Sequence, residues 1–225
     1  MAGTTIWRTI FIGRLYLGIG SGMVVVLSLI LLSVPRAAIE FPMVFPLEIP
    51  LFAILGSTGG LMTFASDRTK GVFEYLIAYG IPPRNLFFNG LISTIAMSSI
   101  ILGVGLGVGL SDAALHGVAL NLTLFQGLAY YAVPVSYAGA LFTSTVGMIW
   151  SAVSTPRTGI NSPVGIAPLI GIGPTILVLV LAESAPASEY YYITTGAAVL
   201  ILALVIGLLA LSARLMGRER FLSPL

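Results

Sequence analysis

The chain has 225 residues, of which 57% are hydrophobic and 8% charged, with ten Lys/Arg, eight Asp/Glu, one His and a mean hydropathy of +1.05. A soluble domain carries about 25% charged residues and a disordered chain is poor in apolar ones, so both classes are excluded and the bilayer is the solvent. The absence of Cys removes disulfide frameworks and cysteine-held zinc or iron–sulfur centres, and the single His116 cannot supply a bis-histidine haem.

At the N-terminus, Ile6, Trp7, Ile10 and Phe11 recur at helical spacing opposite Thr5, Arg8 and Thr9. This predicts a short amphipathic helix lying in the headgroup layer and anchored by Trp7. Six apolar stretches follow, at 15–34, 47–65, 86–110, 128–153, 165–182 and 193–213. Each is close to the roughly 20 residues that cross a bilayer as a helix. None has a charge at its centre, where one would cost about 2.5 to 3.5 kcal/mol. The first run is too long for the apolar core of a cleaved leader. No room remains for a large soluble domain, so 1–225 reads as one all-α membrane domain of six spans.

The connections set the orientation. With the N-terminus inside, Arg8, Arg14, Arg68, Lys70, Arg84, Arg157, Arg214, Arg218 and Arg220 are cytoplasmic and only Arg36 is outside, as the positive-inside rule requires. An even number of spans then places both termini in the cytoplasm. The first outer connection, 35–50, holds Pro35, Pro42, Pro46 and Pro50. Each proline removes a backbone donor and fixes one dihedral, which predicts an extended, stiff loop. The other outer connections, 111–121 and 183–192, are short. Tyr190, Tyr191 and Tyr192 suit an interfacial aromatic belt.

The glycines alternate along two spans, at Gly18, Gly20, Gly22 and at Gly103, Gly105, Gly107, Gly109. A phosphate-binding fingerprint needs a strand and a turn in a water-facing unit, so close helix packing is the better reading, with Gly18/Gly22 and Gly103/Gly107 as small-xxx-small pairs. Catalysis is not expected. The spans hold neither His nor Lys to serve as a base for a serine, and the only lysine, Lys70, stands between Thr69 and Gly71, so the ending of a nucleotide-binding P-loop is absent. The polar groups of the spans are hydroxyls such as Ser57, Thr58, Thr94, Ser98, Thr143, Ser144 and Thr175.

The densest polar stretch runs from Ser66 to Arg84, between the second and third spans. It predicts a short cytoplasmic helix. Ser66, Asp67 or Thr69 can cap its start, Gly80 suits a left-handed end, and Pro82-Pro83 forbids continuation. Val72, Phe73, Leu76 and Ile77 form one apolar stripe, with Lys70 and Glu74 four apart on the other side. About ten residues of helix are marginal in water, so the stripe must rest on the protein's own spans or in a groove of a partner.

This pattern, Asp67-Arg68-Thr69-Lys70-Gly71-Val72-Phe73-Glu74-Tyr75-Leu76-Ile77 and then Gly80-Ile81-Pro82-Pro83-Arg84, resembles the membrane permeases of type-2 ABC exporters. Those carry a Gly-(Thr/Val)-x-Glu-x-Leu-Leu stretch after the second of six spans, matched here by Gly71, Val72, Glu74, Leu76 and Ile77. The ending Arg218-Glu219-Arg220-Phe221-Leu222 is also similar. The resemblance implies a non-catalytic transport subunit in the cell membrane whose cytoplasmic coupling helix seats on a separate ATPase chain. Two ATPase copies would hold ATP and Mg, and a second permease chain, identical or related, would complete the pathway. It implies ATPase-coupling roles for Asp67, Arg68, Lys70, Gly71, Phe73, Glu74, Tyr75 and Leu76, with Phe73 and Leu76 packed in the interface and Glu74 orienting the helix. No catalytic residue, metal or cofactor is expected in this chain. Its partners would be the ATPase, a second permease and membrane lipid, not nucleic acid. One departure is the short 183–192 connection, where such permeases carry re-entrant helices, so any such piece falls within 165–182 near Pro168 and Pro174. The competing expectation is a non-transporting structural subunit whose glycine-rich spans pack against neighbours.

Overall fold

The computed structural model describes residues 2–33, 37–153, 166, 172–173, 176–177, 180 and 189–215. Among these it is all helical, and five helices are long and apolar enough to cross a membrane. They are α1 (Ala2–Ser33), α2 (Ala37–Thr69), α4 (Pro83–Leu115), the run of α5 (Leu122–Gly127), a π-helical turn (Leu128–Ala132) and α6 (Val133–Val153), and α7 (Tyr190–Leu215). The short α3 (Val72–Ala78) joins α2 to α4. The chain is thus a multi-pass membrane protein by helix length and composition. The stretch predicted as the fifth span, with Pro168 and Pro174, lies outside the described residues apart from isolated positions.

Two expectations are corrected at the N-terminal side. The segment around Trp7 is not a separate interfacial helix but the opening of α1, which runs unbroken to Ser33. No proline interrupts it, and its Gly13 lies buried against α2, so continuing the helix adds packing. Nor is 35–50 an extended loop. From Ala37 onward it is helix, with Pro42, Pro46 and Pro50 inside α2. Their spacing of four is the reason. Each proline deprives the carbonyl four residues earlier of its donor, so the defects fall in one row rather than on every face. All three prolines are buried in the bundle. Gly127 gives that row room: a β-carbon there would stand 2.9 Å from the Pro46 ring.

The helices close around two apolar clusters at opposite ends. At the far end, Phe41 stacks on Phe45 with ring centroids 4.7 Å apart, beside Ile49, Val24, Leu124 and Tyr131. At the other, Leu61, Phe64, Phe73, Ile77, Leu86, Phe87, Met148 and Ala152 pack together. We call this the α3 end.

The glycines do pack helices, but not in the predicted register. Gly18, Gly22, Gly103 and Gly107 face open space. Gly13 and Gly20 instead meet the backbone of Gly59 and Gly56, while Gly105 and Gly109 receive Val24 and the Phe45 ring. Close approach of this kind maximises van der Waals contact, which carries helix association where lipid is as apolar as the side chains. Polar contacts add to it. Thr94 Oγ1 donates to Ser144 Oγ across α4 and α6 at 2.9 Å, and Thr9 Oγ1 to Ser93 Oγ across α1 and α4 at 2.9 Å.

The far end also holds the π turn, which makes room for the fully buried Tyr131. Its hydroxyl donates to the Leu47 carbonyl at 3.5 Å, and Thr195 Oγ1 donates to the Tyr130 carbonyl at 3.2 Å. Such turns widen the helix by one residue and expose carbonyls that side chains can take up. Asn121, which opens a glycosylation-like tripeptide, caps α5 by accepting from the Leu124 amide at 3.0 Å.

Candidate functional site

The predicted helix between the second and third spans exists as α3, but it begins later than expected. Ser66, Asp67 and Thr69 belong to the last turn of α2, and the residue before α3 is Gly71 in the left-handed conformation, φ 70°. Ser66 and Thr69 bond instead within that turn, the Lys70 amide and the Thr69 hydroxyl both donating to the Ser66 carbonyl. A positive φ suits glycine because it has no β-carbon to crowd the following carbonyl. So α2 ends, the chain turns once, and α3 starts with Glu74 in its first turn, where a carboxylate favours the helix dipole.

The other end of α3 follows the prediction. Gly80 has φ 86° and its amide donates to the Ile77 carbonyl at 2.9 Å, while the Ile81 amide donates to the Leu76 carbonyl at 3.1 Å. This pair of bonds is the Schellman closure. Pro82 then stands before α4 and Pro83 occupies its first turn, where a missing amide costs nothing.

The apolar stripe rests on the protein's own spans. Phe73 and Ile77 are buried, Phe73 meeting Phe64 edge-on with centroids 4.8 Å apart. Phe73 is therefore not offered to a partner as the sequence led us to expect, and Leu76 is half-buried beside it. The outward face carries Tyr75, 61% exposed, and Tyr79, 71% exposed, with ring centroids 4.6 Å apart. The Tyr79 hydroxyl beside it holds the Tyr75 hydroxyl above the ordinary tyrosine range. Lys70 is exposed at the turn. The Lys70–Glu74 pair is absent from the described ion pairs. Burial lowers the Arg68 pKa and the charge of Glu74 partly offsets this, while Glu74 Oε2 is buried with no hydrogen-bond partner among the described residues.

Asp67 has a different role from the exposed members of the set. It is buried at 8% exposure and takes both arms of the Arg8 guanidinium, with Nη1 donating to Oδ2 at 3.0 Å and Nη2 to Oδ1. This forked pair ties α1 to the last turn of α2, five residues before α3. Such bidentate contacts are among the stronger and more directional polar interactions. Beside it lies a cavity of about 80 Å³ with one side polar, from Arg8, Thr9, Thr63, Asp67, Asn89 and Ser93, and the other apolar, from Phe64, Leu86 and the α3 residues Phe73 and Leu76. Its size and polar side suit a few waters.

Arg8 belongs to this site and was missed by sequence reasoning, because its partner is 59 positions away. Among the described residues no group of three His, Asp or Glu could hold a metal ion. The arrangement is a short helix between two glycine turns, seated on aromatic rings and flanked by an ion pair. Comparison with protein-family models, curated proteins and solved structures found no match.

Proposed function

We propose that this chain is the membrane-spanning permease subunit of an ATP-driven ABC transporter of the exporter type, with α3 as the element that receives force from a separate ATPase. The observation that carries the reading is α3 itself. Its inner face is packed on α2 and α4, whereas Tyr75, Ala78, Tyr79 and the preceding Lys70 are turned outward at the end of the bundle. A bare connection between spans needs no such exposed aromatic pair. The docking surface becomes Tyr75 and Tyr79 with Lys70. Phe73 and Leu76 serve as the seat, and Glu74 orients the helix, its unpaired oxygen open to a donor once the helix shifts.

Further support is topological. α6 and α7 both run toward the α3 end, since Ala152 and Leu209 join the cluster there while Val135 and Ala198 join the far one. The link between them therefore starts and finishes at opposite ends, which favours a sixth crossing near 165–182. With six crossings both termini fall on the α3 side, and the positive-inside bias makes that side cytoplasmic. Two such chains would line the route in the cell membrane and engage two ATPase subunits carrying ATP and Mg.

The test is reconstitution with a candidate ABC ATPase, sought first in the neighbouring reading frames. Glu74→Lys is expected to leave ATP hydrolysis running while transport falls at least about tenfold, the equivalent of one charge-assisted hydrogen bond of about 1.5 kcal/mol. Unaltered coupling would reject the role of α3. One observation favours a second reading, a non-transporting scaffold subunit: Gly103 and Gly107 face outward with nothing against them, as a contact with a neighbouring membrane protein would need. Nucleotide-independent behaviour of the purified assembly would select it.

A further inference from the structure

The first helix is the least buried of the five long ones. Its inward row, Thr9, Gly13, Gly20, Val24 and Ser28, is spent on the bundle. Its outward row is not, and between that row and Phe52 of α2 runs an open apolar groove of about 450 Å³, floored by Gly18 and Gly22 and flanked by Met23 and Val26. The groove reaches Ile30, twelve positions from Gly18 or about 18 Å of helix. That is slightly more than half of the roughly 30 Å hydrocarbon layer.

Four positions before Gly18, and so next to it on the helix surface, stands the exposed Arg14. Its guanidinium lies 4.8 Å over the Phe11 ring and joins none of the described ion pairs. Phe11 and Trp7, 67% and 74% exposed, continue the same side outward, as residues at headgroup depth do. A cation at the mouth of an apolar groove one leaflet long matches an anionic phospholipid, with its phosphate on Arg14 and one acyl chain along Gly18 and Gly22.

We propose that this groove is a selective site for an anionic phospholipid. A second copy of the chain is the rival occupant, since small-xxx-small pairs also seat helices. Charge argues against it: two α1 helices crossing here in parallel would bring two Arg14 side chains together with no acid between them, and unlike a lipid phosphate neither can neutralise the other. The inference does not depend on the permease reading.

The experiment is native mass spectrometry of the full chain titrated with phosphatidylglycerol or phosphatidylcholine, with dimer formation followed by cross-linking. No atom lies within 4 Å of a β-carbon placed at Gly18 or Gly22, so Gly18→Leu/Gly22→Leu fills the groove without disturbing the bundle, and an unchanged melting temperature verifies this. Wild type is expected to retain one phosphatidylglycerol with about tenfold preference over phosphatidylcholine, the scale of one charge-assisted contact. Arg14→Gln should erase the preference, and the filled variant should lose both lipids. Equal retention of the two lipids by wild type, or retention untouched by filling, overturns the proposal. So does a dimer that the filled variant breaks while lipid retention stays constant.

Discussion

At the far end of the bundle the space between helices is filled by rings that cannot change shape: Phe41 on Phe45, the row Pro42, Pro46 and Pro50 against Gly127, and a buried Tyr131 in a π turn. At the α3 end the rings of Phe64, Phe73 and Phe87 share the space with the thioether of Met148, a small cavity and one forked ion pair. Methionine has three rotatable bonds and adapts to shifts of its neighbours, and an ion pair partly open to water can part and re-form. The contrast teaches where this molecule can yield. A body gripped at one end and compliant at the other will rearrange at the compliant one, which is where α3 sits.

Substitutions at four places test this contrast, the largest effect first. Arg8→Ala leaves the buried Asp67 carboxylate alone, and removing one partner of such a pair should cost about 2 to 3 kcal/mol, tempered because Arg8 is half exposed. Denaturation in detergent should read this loss, and the exchanged pair Arg8→Asp/Asp67→Arg should recover part of it. No loss in the single variant would mean that the α3 end is held by packing alone. Gly109→Ala drives a methyl into the Phe45 ring, itself fixed by Phe41, and overpacking of this sort costs about 1 to 3 kcal/mol. Gly90→Ala offers the matched case at the α3 end, where the new atom meets first the flexible tip of Met148, at 2.7 Å, and less closely the Phe64 ring, at 3.3 Å. Its cost should stay below about 1 kcal/mol, and equal costs at the two glycines would erase the distinction. The smallest effect is Tyr75→Ala with Tyr79→Ala, within about 0.5 kcal/mol because both rings are exposed. If the proposed permease reading holds, binding of the ATPase should nonetheless fall, as co-purification would record.

Much of the fold was legible because the spans are long apolar runs with charges at their edges, and five of the six stretches coincide with described helices. Which face of each helix turns inward was not legible. A helix apolar all round carries no stripe to orient it, so the glycine register was misjudged by two positions, Gly103/Gly107 standing in for Gly105/Gly109. The prolines misled for another reason: single-residue penalties suggest a loop, whereas their spacing of four confines the damage to one row. In the site, Gly80 and Pro82-Pro83 announced the end of α3 because their backbone restrictions are local. Its start was obscured, since Ser66, Asp67 and Thr69 cap well in isolation but are drawn into α2 by the left-handed turn at Gly71. Arg8 could not be read at all, because only the packing of α1 on α2 brings it to Asp67.

Gly71 and Gly80 bracket α3 with residues that have no handedness to defend. The eight residues between them, α3 and Tyr79, can therefore swing as one piece about two swivels, without unwinding a turn or flipping a side chain. Their amide protons would trade with deuterium in step, in a single opening event, whereas the ends of the long helices fray one residue at a time.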